Sequence, residues 1–214
     1  MNSNRFDNVA AQWDQKQRRV DLAKAIAEGI CRLPLHAGMA ALEYGCGTGL
    51  VGMAIAPRIG LLTAVDTSTG MLEVLTEKAK EAGIDNVTPL CLDLTAGDIP
   101  QRFDLIFSAM TLHHIEETGL ILEKFYRHLK DGGIMAIADL DREDGSFHSP
   151  GAGEKHNGFN RRELALTAIA LGFSDLRFST VHSIRKTAED GSKRDYPVFL
   201  LIAKKEHVRE RKSE

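Results

Sequence analysis

The sequence predicts an α/β fold: a doubly wound, mostly parallel seven-stranded sheet that finishes in an antiparallel C-terminal hairpin. Short apolar runs alternate with helical patterns along most of the chain. The runs are apolar throughout rather than strictly alternating, as in parallel strands covered on both faces. The last two runs are joined by a short polar turn, and a parallel pair needs a long crossover, so those two form a hairpin.

In order, "FDNVAAQWDQKQRRVDLAKAIAEGICRL" reads as helix, with Val20, Ala23, Ala27 and Ile30 at helical spacing. "MAALEY" is the first buried strand, and "LVGMAIAPRIG" is a helix stopping near Pro57 and Gly60. "LLTAVD" is the second strand. "TGMLEVLTEKAKEAG" follows as a helix with Met71, Leu75 and Ala79 on one face and Gly83 at its end. "VTPLCLDL" and "FDLIFSAM" are strands three and four. "GLILEKFYRHLKDGG" is a helix that turns Leu122, Phe125 and Leu129 inward, and "IMAIADL" is strand five. "NRRELALTAIALGF" is a helix starting at an Asn cap. "DLRFSTVHSIRK" and "PVFLLIAKK" close the sheet around the turn "TAEDGSKRDY".

At 214 residues the chain reads as one domain, large enough to bury a core without disulfides. Its formal net charge of −3 offers no general attraction for nucleic acid. Cys31, Cys46 and Cys91 lie far apart with no CxxC spacing, which fits a reducing compartment. The N-terminus does not look like a signal peptide, and no apolar run approaches membrane-spanning length. The expectation is a cytoplasmic protein without a membrane partner.

"ALEYGCGTGL" sets three glycines within five positions, directly after an apolar run ending in an acid. A strand, a glycine-rich turn and a helix form a cradle in which backbone amides approach a cofactor, aided by the positive end of the helix. One glycine would merely mark a tight turn. Three, with Asp66 ending the next strand about twenty residues on, point to a cofactor. Gly47, Gly49 and Gly52 also spell G-x-G-x-x-G, so an NAD-dependent oxidoreductase is one reading.

"LEYGCGTG" resembles the first motif of class I S-adenosylmethionine-dependent methyltransferases, which have a Rossmann-like fold. The similarity continues in order through "AVDTSTGML", "LCLDL", "FDLIFSAMTLHHI" and "LKDGGIMAIADL" to "LGF" before the hairpin. "FDNVAAQWD" is similar to the opening of small-molecule members related to quinone-biosynthesis methyltransferases. This implies S-adenosyl-L-methionine as cofactor and a small-molecule methyl acceptor; a non-catalytic cofactor-binding protein of the same fold is a further alternative. The parts become a helical lid (1–35), a cofactor-binding core (38–140), an acceptor-side loop (141–159) and a C-terminal helix and hairpin (160–205).

The resemblance also implies roles. Gly45, Cys46, Gly47 and Gly49 lie under the cofactor, Cys46 through its backbone, and Glu43 holds the loop or the amino end. Asp66, with Thr67 beside it, accepts both ribose hydroxyls; a helix cap is its competing role. Asp93 accepts the adenine amine with the Leu94 amide near the ring, unless Asp93 is a turn residue. Met71 packs on adenine or simply in the core, and Ser108 and Ala109 meet the amino group through their carbonyls.

Methyl transfer from a sulfonium is an in-line displacement, so the protein chiefly aligns the acceptor and in some cases removes a proton. His113 and His114 are the candidate bases, with packing and capping as alternatives. Phe147, His148, His156, Phe159 and Trp13 are candidate acceptor contacts. Asp139, Asp141, His148 and His156 match no compact metal-ligand spacing, so no metal is expected. "SAMTLHH" departs from the N-P-P-Y-type motif of amino-methylating members that act on DNA adenine or glutamine.

Overall fold

The structure is a computed structural model that describes residues 6–148, 153–187 and 192–206. Its strands are β1 (Ala40–Tyr44), β2 (Leu61–Asp66), β3 (Val87–Cys91), β4 (Phe103–Ala109), β5 (Leu129–Leu140), β6 (Phe173–Thr187) and β7 (Lys193–Lys205). They form one sheet in the order β3-β2-β1-β4-β5-β7-β6. β1 to β5 pair in parallel, whereas β7 runs antiparallel to both β5 and β6. From β1 the chain steps outward to β2 and β3, then returns to lay β4 on the other flank. The topological switch therefore falls at the carboxyl ends of β1 and β4, where ligands bind in such sheets.

Five α-helices accompany the strands: α1 (Gln17–Ile30), α2 (Gly52–Ile55), α3 (Thr69–Glu81), α4 (Thr118–His128) and α5 (Arg161–Ala170). Alternate strand residues feed two cores. Ala41, Leu105, Phe107 and Ala136 pack with Leu22, Ile26 and Ile30 of α1. Leu42, Ile106, Met135 and Ile137 pack with Ile121, Leu122 and Phe125 of α4 and Leu164 of α5. Burial on both faces explains why the strands read as continuous apolar runs.

The anticipated caps are present. Asn160 Oδ1 accepts the amides of Arg162 and Glu163 at 2.9 and 3.3 Å, and α3 is capped by Ser68 rather than Asp66, its Oγ accepting the Met71 amide at 3.2 Å. Gly83 follows α3 with φ +64°.

Four elements differ from expectation. The first helix is broken at the extended residue Lys16, which separates a 3₁₀ segment, Ala10–Gln15, from α1. The helix after the glycine loop lasts four residues before a 3₁₀ turn, Ala56–Arg58. Pro57 has no amide to continue the ladder and disfavours helix before it. β5 begins at Leu129, so Leu129 is strand rather than helix, and the "KDGG" turn is drawn into β5 beside a register shift against β4. β3 stops at Cys91, which leaves Asp93 and Leu94 in the following turn. The hairpin strands are also longer than their apolar cores; part of the expected turn, 188–191, lies outside the described residues.

Candidate functional site

The loop after β1 closes on the end of β2. The amides of Gly45 and Cys46 donate to the Val65 carbonyl at 2.8 and 3.0 Å, and the Gly49 amide donates to Cys46 O at 2.9 Å. Gly45, Gly47 and Gly49 have φ of +69°, +52° and +78°, a region where only glycine is unstrained. Their surroundings separate their roles. A Cβ on Gly45 would lie 2.2 Å from the Thr111 side chain, and one on Gly49 would lie 2.2 Å from Leu75. A Cβ on Gly47 would meet nothing within 4 Å. Gly45 and Gly49 are glycines for packing; Gly47 is the one that opens outward. Gly52 is filled from behind, since a Cβ there would stand 2.1 Å from Glu43 Oε2.

A cavity of about 180 Å³ lies over this loop. Glu43, Gly45, Cys46, Gly47, Asp66, Thr67, Met71, Ala109 and His114 line it, as does Trp13 from the N-terminal segment. Asp66 holds the loop directly: Oδ2 accepts the Gly47 amide at 2.8 Å and Oδ1 accepts the Ser68 amide at 3.0 Å. Each oxygen keeps a further lone pair, so the carboxylate can still accept from a ligand. Burial raises the Asp66 pKa. Glu43 is 2% exposed, its Oε2 has no hydrogen-bond partner, and burial pushes its carboxyl up to about 8. Cys46 is buried, and desolvation together with the charges of Glu43 and Asp66 pushes its thiol well above the usual range, which leaves it unsuited to nucleophilic work.

Five expected site residues do not line this cavity. Gly49 sits under the loop. Ser108 is buried with Oγ donating to Tyr44 O at 2.9 Å, which ties β4 to β1. Asp93 folds onto its own turn, its Oδ1 accepting from the Thr95 amide and hydroxyl at 2.9 and 2.6 Å, and Leu94 is buried in the core. His113 faces a second cavity instead.

The N-terminal segment is latched across the first cavity. Asp7 Oδ1 accepts from Ser68 Oγ at 2.5 Å and the Gly70 amide at 2.9 Å, at the start of α3. Asp14 accepts from Thr48 Oγ1 and from Lys78 Nζ, both at 2.6 Å, and Lys78 also donates to Thr48 O at 2.8 Å. Phe6 packs edge-on against both Trp13 and His114, at ring separations of 5.9 and 5.7 Å.

A second cavity of about 410 Å³ adjoins the first, sharing Phe6, Trp13, Arg19, Leu22, Met110 and His114 with it. His113, Phe147 and His148 also line it. His113 is 2% exposed, and Nδ1 lies 2.7 Å from Asp139 Oδ1, which also accepts the Leu140 amide at 2.8 Å. A carboxylate only accepts, so Nδ1–H donates to Asp139 and Nε2 is the ring nitrogen left for another partner. His114 and His148 flank that ring at 4.2 and 4.9 Å. Burial, with the His113 charge second, pushes both flanking rings down to about 4.

His156 and Phe159, expected as acceptor contacts, do not line either cavity. His156 Nε2 sits 2.9 Å from Ile115 O and 3.2 Å from Thr118 Oγ1, pinning the loop, and Phe159 joins the α4 and α5 core. Asp141 receives both Nε and Nη2 of Arg161 at 2.7 Å.

Sequence reasoning passed over Thr111, Met110 and Asp139's partnership with His113. Thr111 Oγ1 donates to Gly45 O at 3.2 Å, bracing the loop from β4. Met110 has φ 55° at the junction of the two cavities. Backbone strain of that kind gathers at functional sites, but no residue type announces it when glycine is absent. Asp139 ends β5 next to β4, so parallel pairing brings it to His113; only strand order reveals this.

The family described as "Methyltransferase domain" matches residues 41–133. Over these residues the chain is similar to that methyltransferase family. The matched span runs from β1 into β5 and contains the glycine loop, Asp66 and both histidines. The chain is 29% identical over 157 residues to a ubiquinone biosynthesis O-methyltransferase of Caulobacter vibrioides, covering 64% of this chain and 62% of that one. It is 30% identical over 140 residues to a malonyl-[acyl-carrier protein] O-methyltransferase of Priestia megaterium, covering 63% and 49%. The chain thus spans about half to three-fifths of those relatives' lengths. A Haemonchus contortus phosphoethanolamine N-methyltransferase 2, solved with S-adenosyl-L-methionine, shares the fold at TM-score 0.70 and 18% identity, covering 94% of this chain and 60% of that one.

The residues present fit that cofactor. Gly47 leaves the space a side chain would fill, and the Glu43 carboxyl, whose Oε2 is unpartnered, suits an ammonium group. Asp66 retains acceptor capacity for hydroxyls. Among the described residues no helix is long and apolar enough to cross a membrane.

Proposed function

We propose that this protein transfers the methyl group of S-adenosylmethionine to a small-molecule acceptor, releasing S-adenosylhomocysteine. The observation that carries this reading is the pair of adjoining cavities: one floored by the glycine loop and bearing Glu43 and Asp66, the other bearing the histidines, with a shared wall between them. The small acceptor is supported by the Caulobacter vibrioides relative, which is named for ubiquinone biosynthesis. The three free cysteines support a cytoplasmic setting.

When bound, the sulfonium supplies an activated methyl group whose leaving thioether needs no acid. The rest falls to this chain. Asp66 accepts the ribose hydroxyls, Glu43 faces the amino end, and Met71 packs on the base. The latched segment 6–16 excludes water from above. Met110 and His114 form the threshold between cofactor and acceptor. His113 takes the acceptor's proton at Nε2 where the acceptor has one to lose. Asp139 is its positioning residue, fixing the ring through Nδ1. His114 serves as wall, because a ring pushed down to about 4 is a weak base. Residues 38–140 are the cofactor-binding core in this reading, and Phe147 and His148 border the acceptor from the loop that follows.

Calorimetric titration with S-adenosylmethionine, S-adenosylhomocysteine and NAD in parallel tests the reading. Binding of the first two, and none of NAD, is expected. Binding of NAD alone would overturn it.

A further inference from the structure

The two cavities differ in charge. Two carboxyl groups, Glu43 and Asp66, line the first. No carboxylate lines the second, which instead has Lys16, Arg18, Arg19 and Lys186. The chain as a whole carries a formal net charge of −3, so four cations without an acid on one cavity is not a sample of its average surface. The acids nearby are turned elsewhere. Asp14 is engaged by Thr48 and Lys78, and Glu143 Oε2 accepts the Phe147 amide at 3.1 Å. Asp14, Glu143 and Glu154 line neither cavity.

None of the ion pairs among the described residues takes up these four cations. The contrast is sharpest on the hairpin. Arg185 pairs with Asp195 at 2.7 Å and Arg194 with Asp144 at 2.7 Å. Lys186, one residue on from Arg185 and therefore on the opposite face, makes no such ion pair among the described residues, and the Glu143 carboxylate reaches it only at longer range. Its ammonium lies 3.6 Å over the Phe147 ring and donates to Phe147 O. Arg19 stacks on Trp13 at 3.4 Å and donates Nη1 to Trp13 O at 3.1 Å, which leaves further N–H donors of the fork. Burial first, and the Arg18 charge second, lower both Arg19 and Lys186, so the cations act on one another; Asp14 and Glu143 offset this in part. The first turn of α1 carries no acid to offset them. The remaining walls are apolar: Phe6, Trp13, Leu22, Phe147 and Ile184.

We infer that the methyl acceptor is an organic oxyanion, a carboxylate or phosphate on an apolar body, with Lys16, Arg18, Arg19 and Lys186 holding its charge. This rests on the methyl-transfer reading and names its substrate class. The apolar body lies against the aromatic wall, which directs the group to be methylated toward Met110 and the first cavity. Arg19 borders both cavities and so lies nearest the point of transfer.

The test uses the full chain saturated with S-adenosylhomocysteine and three probes of one shape: 3-phenylpropanoate, its amide and 2-phenylethyl phosphate. Calorimetry should show the anions binding about tenfold or more tighter than the amide, with the gap closing at high salt. The tighter anion identifies carboxylate or phosphate as the source of the charge. Arg18→Glu combined with Lys186→Glu should cut anion affinity about tenfold or more, with S-adenosylhomocysteine affinity checking the fold. Equal binding of anions and amide, or binding of none, by the loaded protein overturns this inference alone. Failure of S-adenosylhomocysteine to bind the unmodified protein overturns the methyl-transfer reading, and the inference with it.

Discussion

Replacing Glu43 by Gln tests the most perturbed acid in the first cavity. Glu43 is 2% exposed, and burial moves its carboxyl from an ordinary 4.5 to about 8. The folded protein therefore binds a proton that the unfolded chain releases above pH 4.5. Stability from this group is full below that pH and is lost as pH rises toward 8, with a slope of about 1.4 kcal/mol per unit inside the window. Between pH 5 and pH 7 the ligand-free protein should lose about 2.5 kcal/mol that Glu43→Gln does not lose. Urea unfolding of both proteins at several pH values in that window measures the difference. A second readout follows from the charge of the cofactor. An ammonium beside Glu43 favours the carboxylate, so binding of S-adenosylmethionine at pH 7 should release about one proton from Glu43. Titrations in buffers of different ionisation enthalpy count that proton, and Glu43→Gln should not release it. Parallel pH–stability curves for the two proteins, with no difference in proton release, would refute the reasoning.

Other perturbations separate the parts of the site. Gly47→Val should abolish S-adenosylhomocysteine binding in calorimetry, since φ is +52° and Gly47 is the loop glycine whose Cβ would meet no protein atom within 4 Å; retained affinity would remove Gly47 from the cradle. Asp66→Ala loses the acceptors of the Gly47 and Ser68 amides as well as the proposed ribose contacts, so cofactor affinity should fall by about 1–3 kcal/mol, read by the same titration. Asp14→Ala frees Lys78 and Thr48 from the N-terminal segment. Amide hydrogen exchange across residues 6–16 should then quicken while that of β1 and β4 stays unchanged.

The sequence determined the layered architecture. Continuous apolar strands, helices at 3.6-residue spacing and a hairpin too tightly connected to be parallel leave few other solutions. It also marked the floor of the first cavity, because left-handed backbone turns demand glycine and therefore leave a visible trace. Asp66 was legible for a similar reason: an acid ending an apolar strand has few structural excuses. The tertiary structure decided what each glycine does, since only packing shows that Gly45 faces Thr111, Gly49 faces Leu75 and Gly52 faces Glu43, while Gly47 faces open space. It also placed Asp93 in its own turn, because β3 ends at Cys91. Strand order, invisible in a linear chain, joined His113 to Asp139 across 26 positions. The cationic wall of the second cavity draws on residues 16 to 19 and 186, from opposite ends of the chain. Local rules of backbone and periodicity act over a few residues and can be read along the sequence. A binding site is made by side chains distant in sequence, and only the closed sheet brings them together.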